Sequence, residues 1–394
     1  MRVAISPASA VQRGSSSKPT FGILSTYPPT ACGLATFSAA LAGGLSALGA
    51  EVRVVQVVEG TTSAFRGTPG DPVVGELVNG SLESLADTID LLNQCDVAIV
   101  QHEYGLYGGD DGDEVVDILR SLEVPAIVIA HTILTHPTTH QRSVLVDVAE
   151  EADRVVVMSA AAQDRLIEGF DVDPEKVVSI PHGAATPARR PWTAPSGRPT
   201  MLTWGLVGPG KGIERVIDAM VTLVDLLDRP RYLVAGRTHP KVLAADGELY
   251  RNARIEQAWR LGVAASVTFD ASYRDVASLT ALIQAADVVV LPYDSTDQVT
   301  SGVLVDAIAA GKPVVATAFP HAVELLAGGA GIVVDHDDPD GLALALRRVL
   351  TEPGLAAGMA AEAARLAPTM GWGVVSSAYL ELADRIRDEL PAFA

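Results

Sequence analysis

The stretch YDSTDQVTSGVLVDAIAAGKPVVAT, Tyr293 to Thr317, decides how the chain folds. An unbroken apolar run, Val288–Leu291, precedes it, and it closes on another, Val314–Val315. Between them lie the small polar residues Thr300, Ser301 and Gly302, after which helix-period residues resume. Apolar runs without strict alternation, separated by helices, are the pattern of a parallel sheet covered on both faces. A helix that starts on small residues also bares backbone N–H groups, because its first four lack internal partners where the dipole is positive. The stretch therefore predicts a buried strand, an anion-accepting turn, a helix and a second buried strand. An ordinary strand–helix connection has the same pattern, so the rest of the chain must decide.

The same alternation extends in both directions. Upstream, strands are predicted at Phe21–Ser25, Glu51–Val57, Asp96–Val100, Ala126–Ala130, Arg154–Met158 and Val177–Ile180, with helices at Ala35–Leu48, Leu82–Leu92, Asp113–Leu122 and Ala160–Glu168. Clustered Pro, Gly and Ser in His182–Thr200 then break the pattern as a linker does. It restarts with strands at Met201–Leu206, Arg231–Ala235, Val267–Phe269, Val288–Leu291, Pro313–Ala316 and Gly331–Val334. Helices such as Ile213–Leu227, Tyr250–Leu261 and Val303–Ala310 lie between these strands. The expected architecture is α/β, with two Rossmann-like parallel-sheet domains facing each other across a cleft. Their bounds are read as a flexible tail 1–19, a domain 20–185, a linker 186–199, a domain 200–367 and a C-terminal helix within 368–394 that clasps the two. In such sheets ligands bind outside the C-terminal strand ends.

With 394 residues the chain is long enough for two or three domains of ~100–200 residues. Its 29 Lys and Arg against 48 Asp and Glu give a net charge of −19. So acidic a chain repels nucleic acid and anionic lipid, and no run of basic residues offsets this. No apolar run approaches the ~20 residues needed to cross a bilayer, and no patch supports peripheral membrane contact. Residues 1–20 lack the apolar core of a signal peptide. Cys32 and Cys95 stand far apart without a CxxC motif, which gives neither a disulfide framework nor a zinc site and fits a cytoplasmic location.

Chemistry-bearing residues cluster at the predicted strand ends. GLVGPGKGIERVIDAM carries Gly208, Gly210 and Gly212 around a lone cation, Lys211, beside a helix start. That combination suits a phosphate, though a glycine turn with a surface lysine reads equally well. The spacing is not that of a Walker loop, and no Ser or Thr follows Lys211 to hold a metal. Arg237 in VAGRTHP is a second cation past a strand end, of the kind that takes a planar oxyanion. Ser301, Gly302, Val303 and Leu304 offer N–H groups to a diphosphate, Asp306 accepts from vicinal ribose hydroxyls, and Gln298 hydrogen-bonds a sugar. Upstream, Gly33 stands near the first helix start, and His102, Glu103 and His131 stand just past strands. The histidines read as bases, donors or structural residues. His131, His136 and His140 are not read as a metal site, since Pro137 blocks the helix that would align the last two. No metal and no cofactor are expected.

Together, these segments resemble the retaining glycosyltransferases of the GT-B fold, family GT4, from Phe21 onward. LPYDSTDQVTSGVLVDAIAAGKPVVAT is similar to that family's pair of glutamates separated by seven residues and followed by EAMAxGxPVVA. Support comes from the GxxxxxKG spacing at Gly205–Gly212, from VVVMSAAAQDRL and from IPHG. QHEYG, GPGKG, THP and PHAVELL look most like a mannosyltransferase-like subgroup. The resemblance implies a nucleotide-diphosphate sugar held mainly by the C-terminal half and a carbohydrate or small hydroxyl acceptor held by the N-terminal half. Lys211 then matches the diphosphate lysine, Asp306 the acidic residue on the ribose, His131 the histidine near the reacting carbon, and Gly33 the glycine of the first loop. Transfer would proceed with retention and without metal, the acceptor attacking from the leaving-group face while a donor phosphate oxygen takes the proton.

Two departures mark this chain. Gln298 stands where the family has its first glutamate, which loses a charge-assisted bond worth ~1.5–3 kcal/mol and alters donor preference more than it abolishes activity. Leu206 stands where an arginine is expected, and Arg237 on the adjacent loop is the expected substitute. A sugar phosphorylase on the same fold and a non-catalytic nucleotide-sugar or carbohydrate-binding protein are the rival readings. An epimerase lacks its acid–base carboxylates.

Overall fold

The computed structural model describes residues 18–60, 70–187, 193, 195, 197–272 and 274–389. Most of the proposed tail and much of the proposed linker lie outside the described residues. The N-terminal lobe contains β1 (Thr20–Ser25), α1 (Gly33–Ala47), β2 (Glu51–Val58), β3 (Val73–Val78), α2 (Leu82–Asn93), β4 (Val97–His102), α3 (Glu114–Arg120), β5 (Ala126–Ala130), α4 (Thr139–Glu151), β6 (Arg154–Val157), α5 (Ala160–Phe170) and β7 (Val177–Ser179). The C-terminal lobe opens with β8 (Thr200–Trp204), α6 (Ile213–Met220), β9 (Arg231–Ala235), α7 (Pro240–Asp246), α8 (Leu249–Arg260), β10 (Val267–Asp270), α9 (Val276–Ala285) and β11 (Val288–Leu291). It continues through α10 (Gly302–Ala309), β12 (Val314–Thr317), α11 (Pro320–Leu326), β13 (Gly331–Val334), α12 (Pro339–Thr351) and α13 (Pro353–Leu366), and α14 (Trp372–Glu389) follows.

Each lobe is one parallel sheet, ordered β3-β2-β1-β4-β5-β6-β7 and β10-β9-β8-β11-β12-β13. The order reverses between β1 and β4 in the first sheet and between β8 and β11 in the second. Chain crossovers diverge at such points and leave a crevice at the C-terminal strand ends. The strands are apolar on both faces because helices cover both, so β4 and β5 are buried along their whole length.

β3 is absent from the expected strands. Gly75 and Glu76 interrupt its apolar run, and as an edge strand it pairs only with β2 and needs only one buried flank. The strand expected at Met201–Leu206 ends at Trp204, because Gly205 takes φ +118° and turns the chain. The helix expected over Ile213–Leu227 stops at Met220, where a 3-10 turn over Val221–Leu223 takes over.

α14 leaves the C-terminal lobe and packs on α1. Val375, Tyr379, Leu382, Ala383 and Ile386 are buried in the same cluster as Phe21, Ile23, Phe37 and Leu41 of the first lobe. Just before it, Ala184 pairs with Gly371, so the two interlobe crossings run side by side.

Candidate active site

The crevice is built where the two switch points face each other. On the C-terminal side, the Lys211 loop follows β8. Gly212 adopts φ +62°, and a Cβ there would lie 1.7 Å from the Pro292 carbonyl oxygen, so only glycine lets this loop close against the chain beyond β11. The Lys211 Nζ sits 4.3 Å from the Tyr293 ring centroid, and Tyr293 in turn stacks on Phe319 with centroids 5.3 Å apart. Lys211 has no carboxylate partner among the described residues, and burial lowers its pKa. An aromatic face compensates a cation only partly. The ammonium is thus held in place, desolvated and short of negative charge.

Beyond β11 the chain enters α10. Ser301 is its N-cap, and its hydroxyl accepts from Leu304 N–H at 3.3 Å. The Ser301 N–H donates to His321 Nδ1 at 2.9 Å. This corrects the expectation that Ser301, Gly302, Val303 and Leu304 all present N–H groups: a serine cap uses one, and His321 takes another. Gly302 and Val303 N–H keep no acceptor among the described residues. Asp306, one turn on, has no side-chain partner among the described residues, and burial pushes its pKa up to about 7. The Gln298 amide turns onto its own loop and donates to the Thr300 carbonyl at 3.1 Å.

Arg237 is exposed in the loop past β9. Its carbonyl accepts from Val207 N–H at 2.8 Å, and Val207 pairs with Thr238, so its backbone runs beside Leu206.

The N-terminal wall is made of neutral rings. His131 follows β5, and its Nε2 lies 2.5 Å from Gln101 Oε1 on β4. Its ring stands edge-on to Phe37 of α1, centroids 5.1 Å apart, and Phe37 also meets His182 at 5.0 Å and Trp372 at 5.1 Å. Burial first, then the proximity of His182 and His102, holds the His131 pKa down at about 3. Burial likewise lowers His102, His182 and His321 to about 4. A Cβ on Gly302 would fall 2.9 Å from His182 Nε2, which places this ring against the open end of α10. His102 itself is 1% exposed and packs edge-on to Tyr104, below the crevice surface rather than on it. Glu103 accepts from the Thr132 hydroxyl at 2.6 Å; burial raises its pKa, while Lys241 of the opposite lobe pulls it down. Gly33 is the first residue of α1 and faces open space.

The structure thus sets Lys211 and the α10 start at Gly302 and Val303 beside the β8/β11 switch point, with Asp306 one turn into that helix, and sets His131 past β5 beside the end of β4 on the opposite lobe. Sequence reasoning quoted IPHG and PHAVELL but singled out neither His182 nor His321. A histidine just past a strand end is the signal they share with His131. No group of three or more His, Cys, Asp or Glu among the described residues is placed to hold a metal ion. No helix among them is long and apolar enough to cross a membrane.

The lobes are joined along one side of the crevice. Across the lobes, Ser159 Oγ donates to the Val299 carbonyl at 2.6 Å, Arg165 to the Asp297 carbonyl at 2.8 Å, and Thr135 to Asp297 Oδ1 at 2.5 Å, while Arg165 also holds the Ile133 carbonyl of its own lobe at 2.8 Å. Val299 is 2% exposed within the first lobe's core. The Glu324 carboxylate accepts from Ala160 and Ala161 N–H at 2.9 and 3.0 Å, which caps α5 from the other lobe. Glu324→Ala should lower the melting temperature by roughly 2–4 °C, the effect of losing a cap worth about 1 kcal/mol. Small-angle scattering should show a larger radius of gyration. An unchanged melt and radius would mean that the bridge contributes nothing to closure.

Comparison with known proteins gives concordant results for both lobes. Residues 31–186 match the model of Glycosyltransferase Family 4, and residues 185–366 that of Glycosyl transferases group 1. The D-inositol 3-phosphate glycosyltransferase of Rhodococcus opacus is 30% identical over 249 residues, covering 59% of this chain and 53% of the relative. That of Kineococcus radiotolerans is 31% identical over 266 residues, covering 60% and 58%. The chain thus spans little more than half the length of these curated relatives. Among solved structures, Anabaena HepE in complex with UDP and glucose has a TM-score of 0.73 at 17% identity, covering 93% of this chain and 100% of that one. Sucrose-phosphate synthase from Thermosynechococcus elongatus has a TM-score of 0.73 at 18% identity, covering 94% and 100%. At these identities the likeness is one of fold, the two-lobed GT-B arrangement.

Proposed function

We propose that this chain, a family 4 glycosyltransferase domain followed by a group 1 glycosyl transferase domain in a GT-B fold, moves a hexosyl unit from a nucleotide-diphosphate sugar to an acceptor hydroxyl. Transfer proceeds with retention and without a metal ion. The observation that carries the reading is the desolvated Lys211 ammonium, without a carboxylate partner among the described residues, in the same crevice as the free N–H groups of Gly302 and Val303. Both lack negative charge, and a departing diphosphate supplies it. Charge that develops on the leaving group meets dipoles already oriented in a water-poor cleft, where such groups act most strongly. Asp306 takes the ribose hydroxyls, and Gln298 and His131 meet the sugar. The N-terminal wall, with its neutral rings, holds the acceptor hydroxyl near the anomeric carbon.

Arg237 supplies the cation that Leu206 does not. The run of its backbone beside Leu206 supports this assignment. Arg237→Ala should lower kcat by about 10²-fold, the usual cost of one such donor. Intact activity would end the compensation idea.

The direct test incubates the protein with UDP-, GDP- and ADP-linked glucose, mannose and N-acetylglucosamine, with and without EDTA. The acceptor panel includes inositol 3-phosphate, after which the curated relatives are named. Nucleotide release that depends on acceptor and survives EDTA supports the proposal, and NMR of the product's anomeric proton reads retention. Sugar phosphate formed from a disaccharide and inorganic phosphate would favour a phosphorylase. Stabilisation by nucleotide without turnover would favour a binding protein.

A further inference from the structure

β4 ends in Gln101 and His102, and β5 delivers His131 directly beside them, with His131 N–H donating to the His102 carbonyl at 3.1 Å. The Gln101 side chain is fully buried, and its backbone carbonyl is held by the Tyr107 hydroxyl at 2.6 Å. Its Oε1 lies 2.5 Å from His131 Nε2. An amide oxygen only accepts, so Nε2 has to carry the proton. Nδ1 of the same ring then bears a lone pair and has no partner among the described residues. The Gln101 Nε2 is also buried without a partner, so the bond to His131 is the one hydrogen bond this amide makes among the described residues.

We infer that Gln101 is a positioning residue that fixes His131 as the neutral Nε2–H tautomer, so that Nδ1 is presented to the crevice as a hydrogen-bond acceptor for a sugar hydroxyl. The inference rests on the glycosyl-transfer reading for its catalytic consequence but not for the tautomer. The titratable groups around His131 are His102 on β4 and His182 beyond β7, while α1 presents Phe37, which does not titrate. In those surroundings no carboxylate draws a second proton onto the ring, and the imidazole stays an acceptor throughout the neutral range. A neutral amide at position 101 is what separates this arrangement from a carboxylate–histidine pair, in which the ring is made to charge.

Long-range ¹⁵N–¹H NMR of the histidine-labelled protein should show His131 protonated at Nε2 and not titrating between about pH 5 and 9. Gln101→Leu should release the tautomer and lower kcat about 10- to 100-fold, the usual loss when an orienting partner of a ligating histidine is removed. Gln101→Glu keeps the shape and the bond but should give His131 a titration in the neutral range and kcat an alkaline-rising limb that the parent lacks. A merely structural role would not create that limb. His131 protonated at Nδ1 in the parent, an unchanged tautomer in Gln101→Leu, or a flat profile in a folded Gln101→Glu would each overturn the inference. The spectra are read without turnover, so their failure is distinguishable from failure of the transferase reading.

Discussion

Lys211→Met should reduce turnover by about 10²–10³-fold and leave the melting temperature unchanged or higher. The two effects have one cause. Lys211 is held over the Tyr293 ring with no carboxylate partner among the described residues, and burial lowers its pKa. A lysine whose folded pKa lies below its unfolded value destabilises the fold at neutral pH, where the unfolded chain holds the proton freely. Methionine keeps most of the apolar stem on the aromatic ring and removes the penalty. What it cannot supply is positive charge at the departing diphosphate. Charge grows on that group as the glycosidic bond breaks, so the loss should fall on kcat more than on KM. If kcat stayed within a few-fold of the parent, Lys211 would take no part in stabilising the leaving group and the electrostatic account would fail. A folded variant that melts well below the parent would show instead that the lysine is structural.

The parts of this site that were legible in the sequence are those where chemistry and element boundary coincide. Lys211 follows a strand and sits among glycines, and Asp306 lies one turn into a helix, so residue type and position could be read together. The helix start at Ser301 was legible as a start, but its hydrogen bonds were not. His321, distant in sequence, takes one N–H group, and the serine hydroxyl takes another. β3 escaped because edge strands tolerate the glycine and the charged residue that disqualify a central strand. The shared neutrality of the buried histidines is a tertiary property: His102, His131, His182 and His321 end or follow four separate strands, and burial lowers the pKa of each. The bridge from Glu324 to α5 is likewise invisible in sequence, since an exposed glutamate on a short helix has nothing to distinguish it until the lobes meet.

Asp306→Asn should stabilise the protein above neutral pH and weaken donor binding, with each effect carrying its own pH dependence. Burial pushes the folded carboxyl up to about 7 from its ordinary value of 3.8. Between those values the folded state holds a proton that the unfolded state has lost, so stability falls as pH rises through this window. Above it the penalty is complete, at most ~4 kcal/mol. Asparagine carries no such penalty. The melting difference between variant and parent should therefore be near zero around pH 4 and grow to its full value by pH 8. The buried histidines also titrate in acid, but they do so in both proteins and cancel in the difference. The donor responds with the opposite sign. An ionised Asp306 accepts from two ribose hydroxyls in charge-assisted bonds worth ~1.5–3 kcal/mol, so the variant's donor KM should rise about 10- to 100-fold at pH 8. The parent's donor KM should fall as pH rises through 7, and the variant's should stay flat. A carboxylate that merely complements the α10 dipole would give the reverse at pH 8, a less stable variant with an unchanged KM.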